Sequence, residues 1–509
     1  MAPTPATARS RETTLLDSDE IVSSLHILTL NCWGLKYLAK YRIERLAEIG
    51  RRLSLHQPAL DIVGLQECWT YSDYQSIRQS TKRVLPYGKF YHSGIFGGGL
   101  VILSRFPIVE SSMFRYPLNG RPTAFFRGDW FVGKGVACAK LRLPDGQIAE
   151  VFNTHLHAPY EREPNDSYIC HRTAQAWDIA KLMKDARLRG HLVIGLGDFN
   201  MVPMSFAHVL IESRGSVRDV WRDAKPASSI GASIDVAEAD RRKRLQLAPT
   251  PDVQESLNEH GHTCDSIVNT WRWNEAHRKA LGKGHDREIL PAELDPRAKR
   301  LDYIFFGGFE EGWKVDQVQV ALTERHPTIR CSLSDHFAVE ATLSRGSPST
   351  SSFLEVEAQG PLQRPRSGSA TEDIVSMRDA DLAKLISHQP TTSVITPSFY
   401  EQILAMINKY TLRERKQRRW RLGHFVGSAL FSIGSFVAIW WSKYNYVAFV
   451  LLLISTLGIL GGTLDGLIGG LFVGSELRAL NEFEWEVRNA LYLEGGPMPE
   501  EKPLQDWYD

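Results

Sequence analysis

Two apolar runs near the C-terminal end restrict this chain more than any other feature. Residues 422–441 form one of 20 residues, and 447–464 one of 18 that continues past Asp465 to 473. About 20 apolar residues cross the ~30 Å of a bilayer's hydrocarbon. Backbone groups in hydrocarbon must be satisfied internally, so such runs are helical. Only 442–446 separate them, which predicts a tight two-helix transmembrane hairpin over 422–474. Arg413, Arg415, Lys416, Arg418, Arg419 and Arg421 precede the first run. Basic flanks stay on the cytosolic side, so the expected topology is multi-pass, with the acidic tail 475–509 returned to the cytosol. Arg415, Lys416, Arg418 and Arg419 are also candidate contacts for anionic phospholipids, each contributing ~1 kcal/mol near such a surface.

Gly458, Gly462, Gly466 and Gly470 recur at every fourth residue of the second run. Small residues at that spacing let helix backbones approach closely. They predict a packing face, either within the hairpin or between chains in helix-helix self-association. Asp465 is expected at the membrane boundary, with an intramembrane functional acid as the other reading.

The first 20 residues lack an apolar core, so no secretory signal is expected. The six cysteines are scattered, with no CxxC pair, which favours a reducing compartment. A cytosolic catalytic domain on an endoplasmic reticulum membrane follows, with a mitochondrial membrane as the alternative.

Upstream, the pattern changes to short apolar stretches and amphipathic segments. Strands are predicted at 25–30, 62–65, 100–103, 134–143, 148–154, 191–196, 303–306 and 337–343, and helices at 41–55 and 170–187. Pro-Asp-Gly at 144–146 marks a hairpin turn. This mixture predicts a four-layer α/β sandwich, two sheets flanked by helices, over 25–345. Residues 1–24 read as a flexible N-terminus, 346–397 as a Ser/Pro/Gly-rich linker and 398–421 as a basic juxtamembrane helix. Residues 225–259 read as an irregular insertion.

Polar residues cluster where predicted strands end: Asn31 in LTLNCWG, Glu67 in VGLQECW, His155 in FNTHLHA, Asp198 and Asn200 in IGLGDFN, and Asp335-His336 in CSLSDH. Asp302 in KRLDY precedes another strand. Each alone reads as a turn former or helix cap. In this order, on one rigid scaffold, they read as a converging site. Phosphodiester hydrolysis needs a hard cation, a positioned water, a base and charge stabilisers. Glu67, helped by Asn31, suits Mg²⁺, with Mn²⁺ as a substitute, and the set lacks zinc's clustered Cys and His.

These motifs resemble those of the endonuclease/exonuclease/phosphatase superfamily, whose fold is DNase I-like. NTHLHA, HRTAQAWDIAKLM, GDFNMVP, HGHTCDSIVNTWR and KRLDYIFF, with the C-terminal helix pair, resemble the neutral sphingomyelinases and, among them, the fungal inositol phosphosphingolipid phospholipases C. The resemblance implies that Glu67 and Asn31 bind metal with Asp335 nearby. It implies that His336 is the general base and Asp302 its orienting carboxylate. Asp198 and Asn200 position nucleophile and phosphate, and His155 stabilises the transition state or assists the leaving group.

Further candidates carry open alternatives. His157 is a neighbour of the site or a core histidine. Asp166, His171 and Arg172 contact the head group or merely begin a helix. Gly97–Gly99 approach phosphate or form a turn. Trp33, Trp69 and Phe96 line a membrane-facing rim or pack in the core.

The expected activity is Mg²⁺-dependent phospholipase C cleavage of inositol phosphoceramides or sphingomyelin. An inositol polyphosphate 5-phosphatase is the alternative, disfavoured by Lys-Arg-Leu-Asp-Tyr at 299–303 where that group carries Trp-Cys-Asp-Arg. A net charge of +1 and the membrane hairpin argue against a nuclease or any nucleic-acid partner. An inert scaffold is disfavoured because every catalytic motif is present.

Overall fold

In the computed structural model the described residues are 22–161, 166–346 and 396–498. The expected linker and most of the expected N-terminal arm lie outside them.

Short apolar and alternating stretches form twelve strands in two six-stranded sheets. They are β1 (Ser24–Asn31), β2 (Ile62–Gln66), β3 (Tyr87–Tyr91), β4 (Leu100–Ser104), β5 (Ile108–Arg115), β6 (Gly135–Arg142), β7 (Ile148–His155), β8 (Leu192–Asp198), β9 (Arg218–Asp219), β10 (Asp302–Gly307), β11 (Trp313–Ala321) and β12 (Ala338–Arg345). One sheet runs β11-β12-β1-β2-β4-β3 and the other β5-β6-β7-β8-β10-β9. The inner faces meet in a core that includes Ile27, Ile62, Ile102, Val151, Ile194, Leu196 and Ile304. Val22, two residues ahead of β1, is already buried.

Helices α1 (Arg42–Ser54) and α2 (Tyr71–Thr81) cover the first sheet through Leu46, Ile49, Leu53 and Ile77. Thr70 caps α2 by accepting the Asp73 amide at 3.1 Å. Helices α3 (Ile169–Leu188) and α4 (Phe206–Gly215) cover the second. The expected four-layer sandwich, DNase I-like, is the architecture found. Residues 225–259 depart from expectation. Beyond α5 (Val220–Ala224) they hold α6 (Val236–Arg244) and α7 (Val253–Asn258), followed by α8 (Glu275–Gly282). Polar side chains order this region: Arg242 bonds the Ala248 carbonyl, His260 and Glu255.

Two apolar helices follow, α9 (Pro397–Trp441) and α10 (Asn445–Leu467), long and apolar enough to span a membrane. A π-helical turn, Ile468–Phe472, leads into α11 (Val473–Leu493). The juxtamembrane helix is thus not a separate element but the first half of α9. Nor is the tail simply an acidic extension. Tyr400, Ile403, Ile407, Leu477, Leu480, Phe483 and Val487 bury against α3, because Trp177 and its neighbours give α3 a second apolar face. Glu486 accepts from Trp177 Nε1 at 2.6 Å and pairs with Lys181 at 2.7 Å.

Within the hairpin the close-packed glycines are Gly462 and Gly466. A Cβ at Gly462 would lie 2.5 Å from Ser428 Cβ, and one at Gly466 2.8 Å from Phe425. Gly458 faces open space. Asp465 pairs with Arg421 and sits 2.7 Å from His424 Nδ1.

Candidate active site

The site forms where strand register brings polar ends together. On the second sheet, Asp198 pairs with His155 across the parallel β7–β8 ladder and with Asp302 across β8–β10. Three consecutive strands therefore deliver His155, Asp198 and Asp302 at one level. On the first sheet Asn31 pairs with Gln66, which places Glu67 just past the end of β2. Glu67 and Asn200 have positive φ, 53° and 47°, a conformation that costs energy in non-glycine residues and collects at functional sites.

Asn31 joins the two halves. Its Nδ2 donates to Glu67 Oε1 at 3.1 Å and to Asp198 Oδ2 at 3.0 Å. Its Oδ1 accepts the Trp33 amide at 2.9 Å. The Asn31 amide nitrogen thus orients both carboxylates.

His336 Nδ1 lies 2.8 Å from Asp302 Oδ2, and Thr263 Oγ1 donates to the same oxygen at 2.6 Å. That leaves His336 Nε2 facing Asp198 Oδ2 at 3.9 Å, while His155 Nε2 approaches that oxygen to 3.5 Å. Ser334 fixes the loop by donating to the Asn31 carbonyl at 2.6 Å. The Asn200 amide nitrogen donates to the Leu156 carbonyl at 3.1 Å, and its backbone N–H to Asp198 Oδ1 at 2.9 Å.

Burial and opposite charge compete over these groups. Burial opposes a proton on His336, but Asp302, Cys264 and Asp198 outweigh it and hold its pKa well above the usual value. Burial, with Lys134 and His336, drives His155 well below, so that ring is neutral. Burial pushes the Asp198 and Asp335 carboxyls up, while His336 pulls both down.

Donor atoms of Asp198, Asp302 and His336 lie within 4.8 Å of one another and could hold a metal ion. Glu67 Oε2 and Asp302 Oδ1 are buried without a hydrogen-bond partner. A buried carboxylate oxygen left unpaired is costly, so the residues present fit a cationic occupant.

Some functional neighbours escaped the sequence reading. Lys134 is buried, its Nζ 3.1 Å from the Leu156 carbonyl. Asn153 binds Gln66 at 2.7 Å and the Leu65 and Val101 carbonyls, stitching the sheets beneath the site. A polar residue at an inward strand position was the available signal.

Other candidates lie elsewhere. His157 is fully buried, stacked on Tyr168 at 4.9 Å. Asp166 pairs with Arg172 inside the fold. His171 Nε2 sits 3.1 Å from Glu476 Oε1, in the junction with α11 and not at the cleft, because the C-terminal helices bury that face of α3. Trp33 meets Trp271 at a tilt, ring centroids 4.7 Å apart, and Gly99 packs against Trp69 and Glu67. The cysteines among the described residues are free.

Residues 28–336 match the family model of the endonuclease/exonuclease/phosphatase family. The chain is 36% identical over 490 residues to an inositol phosphosphingolipids phospholipase C of Schizosaccharomyces pombe, covering 95% of this chain and 99% of that one. It is 32% identical to the Saccharomyces cerevisiae protein of the same name over 92% and 90% of the two chains. Human sphingomyelin phosphodiesterase 2 is 36% identical over 201 residues, 40% of this chain and 47% of that one. With its strand-end carboxylates and histidines gathered on one cleft, the chain belongs to the endonuclease/exonuclease/phosphatase family.

Proposed function

We propose that the chain is a phosphodiester hydrolase of the phospholipase C type, cleaving phosphosphingolipids to ceramide and a phosphorylated head group. The observation that carries this reading is the Asn31 bridge between Glu67 and Asp198, beside the Asp302–His336 pair. It supplies a cation-binding carboxylate and a base on one cleft. Relatives named for this activity along nearly their whole length favour it over the 5-phosphatase alternative.

Glu67 and Asp335 would hold the cation, and oxygen donors favour Mg²⁺ with Mn²⁺ as a substitute. A bound cation would supply positive charge to neutralise phosphoryl oxygens. His336, its ring fixed by Asp302, would take the proton of the attacking water. Asp198 and Asn200 position water and phosphate, and His155 stabilises the transition state or assists the departing ceramide oxygen.

The hairpin keeps substrate and ceramide product in the same bilayer as the enzyme. The basic stretch of α9 supports a cytosolic orientation and contact with anionic phospholipids, and the hairpin fits an endoplasmic reticulum membrane, with a mitochondrial membrane as the alternative. Purified full-length protein in mixed micelles with Mg²⁺, given inositol phosphoceramide or sphingomyelin, tests the reading. Ceramide released by the intact enzyme and not by His336→Ala supports it. Free phosphate from a phosphoinositide, with no ceramide, refutes it.

A further inference from the structure

An unbroken aromatic ridge joins the exit of the membrane hairpin to the mouth of the active site. Phe472, at the end of the π-helical turn, stacks on Trp130 with centroids 4.3 Å apart. Trp130 meets Phe131 edge-on at 5.3 Å, and Phe131 meets Phe96 at 5.9 Å. The backbone straps these segments together: the Phe96 amide donates to the Phe131 carbonyl at 3.2 Å and the Gly133 amide to the Gly97 carbonyl at 3.1 Å. The loop then runs to Gly99, whose carbonyl accepts the Cys68 amide at 3.0 Å beside Glu67.

The ridge has a defined height relative to the hairpin. Arg421 immediately precedes the apolar run of α9, and its guanidinium donates to the Thr123 carbonyl at 3.4 Å. Segment 120–133 therefore lies where the helices leave the hydrocarbon. At that level Ile95 is 70% exposed and Phe96 62%. Aromatic and apolar side chains at a membrane–water boundary partition into it.

We propose that loop 92–97, braced by 128–133, is a membrane-surface wedge. Ile95 and Phe96 enter the headgroup–acyl boundary of the bilayer that holds the hairpin, and a lipid phosphodiester reaches Glu67 along the ridge without leaving the membrane. This rests on the reading that 422–464 crosses the bilayer and that the site hydrolyses a lipid diester.

The test reconstitutes the full chain in phosphatidylcholine nanodiscs containing doxyl-labelled lipid. An environment-sensitive fluorophore is attached to Phe96→Cys, to Leu457→Cys in α10, and to Glu310→Cys at the opposite end of β10. The wild-type chain, carried through the same labelling, supplies the background of native cysteines. Quenching at 457 and at 96, the latter by shallow doxyl groups only, with none at 310, is expected. Quenching at 457 with 96 behaving like 310 overturns the wedge and leaves the span standing; no quenching at 457 overturns both. In parallel, Ile95→Ser with Phe96→Ser should raise KM several-fold for bilayer-borne substrate. It should leave turnover of water-soluble bis-p-nitrophenyl phosphate unchanged. Equal loss on both substrates assigns the two residues to the fold and overturns the wedge.

Discussion

His336 Nδ1 lies 2.8 Å from Asp302 Oδ2, although Asp302 opens β10, His336 lies in the loop before β12, and 34 positions separate them. The pair fixes the ring so that Nε2 faces the cleft. Asp302→Asn removes the charge and reverses the hydrogen-bond demand on Nδ1. A positioned base contributes roughly 10²–10⁴-fold, so kcat should fall within that range while KM changes little. Steady-state kinetics on micellar substrate checks the split.

On the proposed reading, in which Glu67 holds the cation, Asn31 acts through Glu67. Loss of a residue that orients a metal ligand typically costs about 10–100-fold in metal affinity. Asn31→Ala should therefore raise the half-saturating Mg²⁺ concentration by a factor in that range, with activity partly recovered at high Mg²⁺. Mg²⁺ titration of initial rates measures this. A fall in rate with unchanged half-saturation would assign Asn31 to the reaction step instead.

The junction between α3 and the C-terminal helices should be pH-sensitive. Burial pushes the Glu414 and Glu476 carboxyls each up to about 8, well above the usual 4.5. Tyr410 and Arg121 pull Glu476 the other way. Burial lowers His171 to about 4 from 6.5. The folded state holds extra protons on the carboxyls, so their contribution is lost as pH rises from 4.5 through 8. His171 holds fewer protons when folded, so its contribution grows from 4 to 6.5 and opposes theirs there. Above 6.5 only the loss remains, about 2 kcal/mol for each carboxyl taken alone. Hydrogen exchange across Val473–Leu493 should accelerate between pH 6.5 and 8, and Glu476→Gln should flatten that rise.

The hairpin gives a paired test. Gly462→Val places atoms against Ser428, whereas Gly458→Val meets nothing within 4 Å. Overpacking typically costs about 1–3 kcal/mol. Only the first substitution should lower the thermal midpoint in detergent; an equal drop at Gly458 would indicate that this face packs on another chain.

Much of the fold and site was legible because periodicity and chemistry agree locally. Short apolar or alternating stretches marked β1, β2, β4, β6, β7, β8, β10 and β12, and the polar residues flanking β1, β2, β7, β8, β10 and β12 are those gathered at the cleft. Strand β5 was not legible: Val109 and Glu110 are exposed, and its pattern has no strict alternation. Helix α6 escaped because buried Glu238 and Arg242, not an apolar face, hold it, and the six-residue α7 buries only Val253 and Ser256. The role of α11 was hidden for a different reason. Its apolar residues carry helical period, but which surface they cover depends on α3, some 300 positions earlier in the sequence. The same distance separates His171 from Glu476, so no local pattern could place that histidine in the junction.

The most direct test is hydrolysis of inositol phosphoceramide or sphingomyelin in H₂¹⁸O by the full-length enzyme with Mg²⁺, followed by mass spectrometry of both products. Attack of water on phosphorus with ceramide as leaving group predicts one ¹⁸O in the phosphorylated head group and none in ceramide. Ceramide phosphate with a free head group, or label in ceramide, would contradict the account.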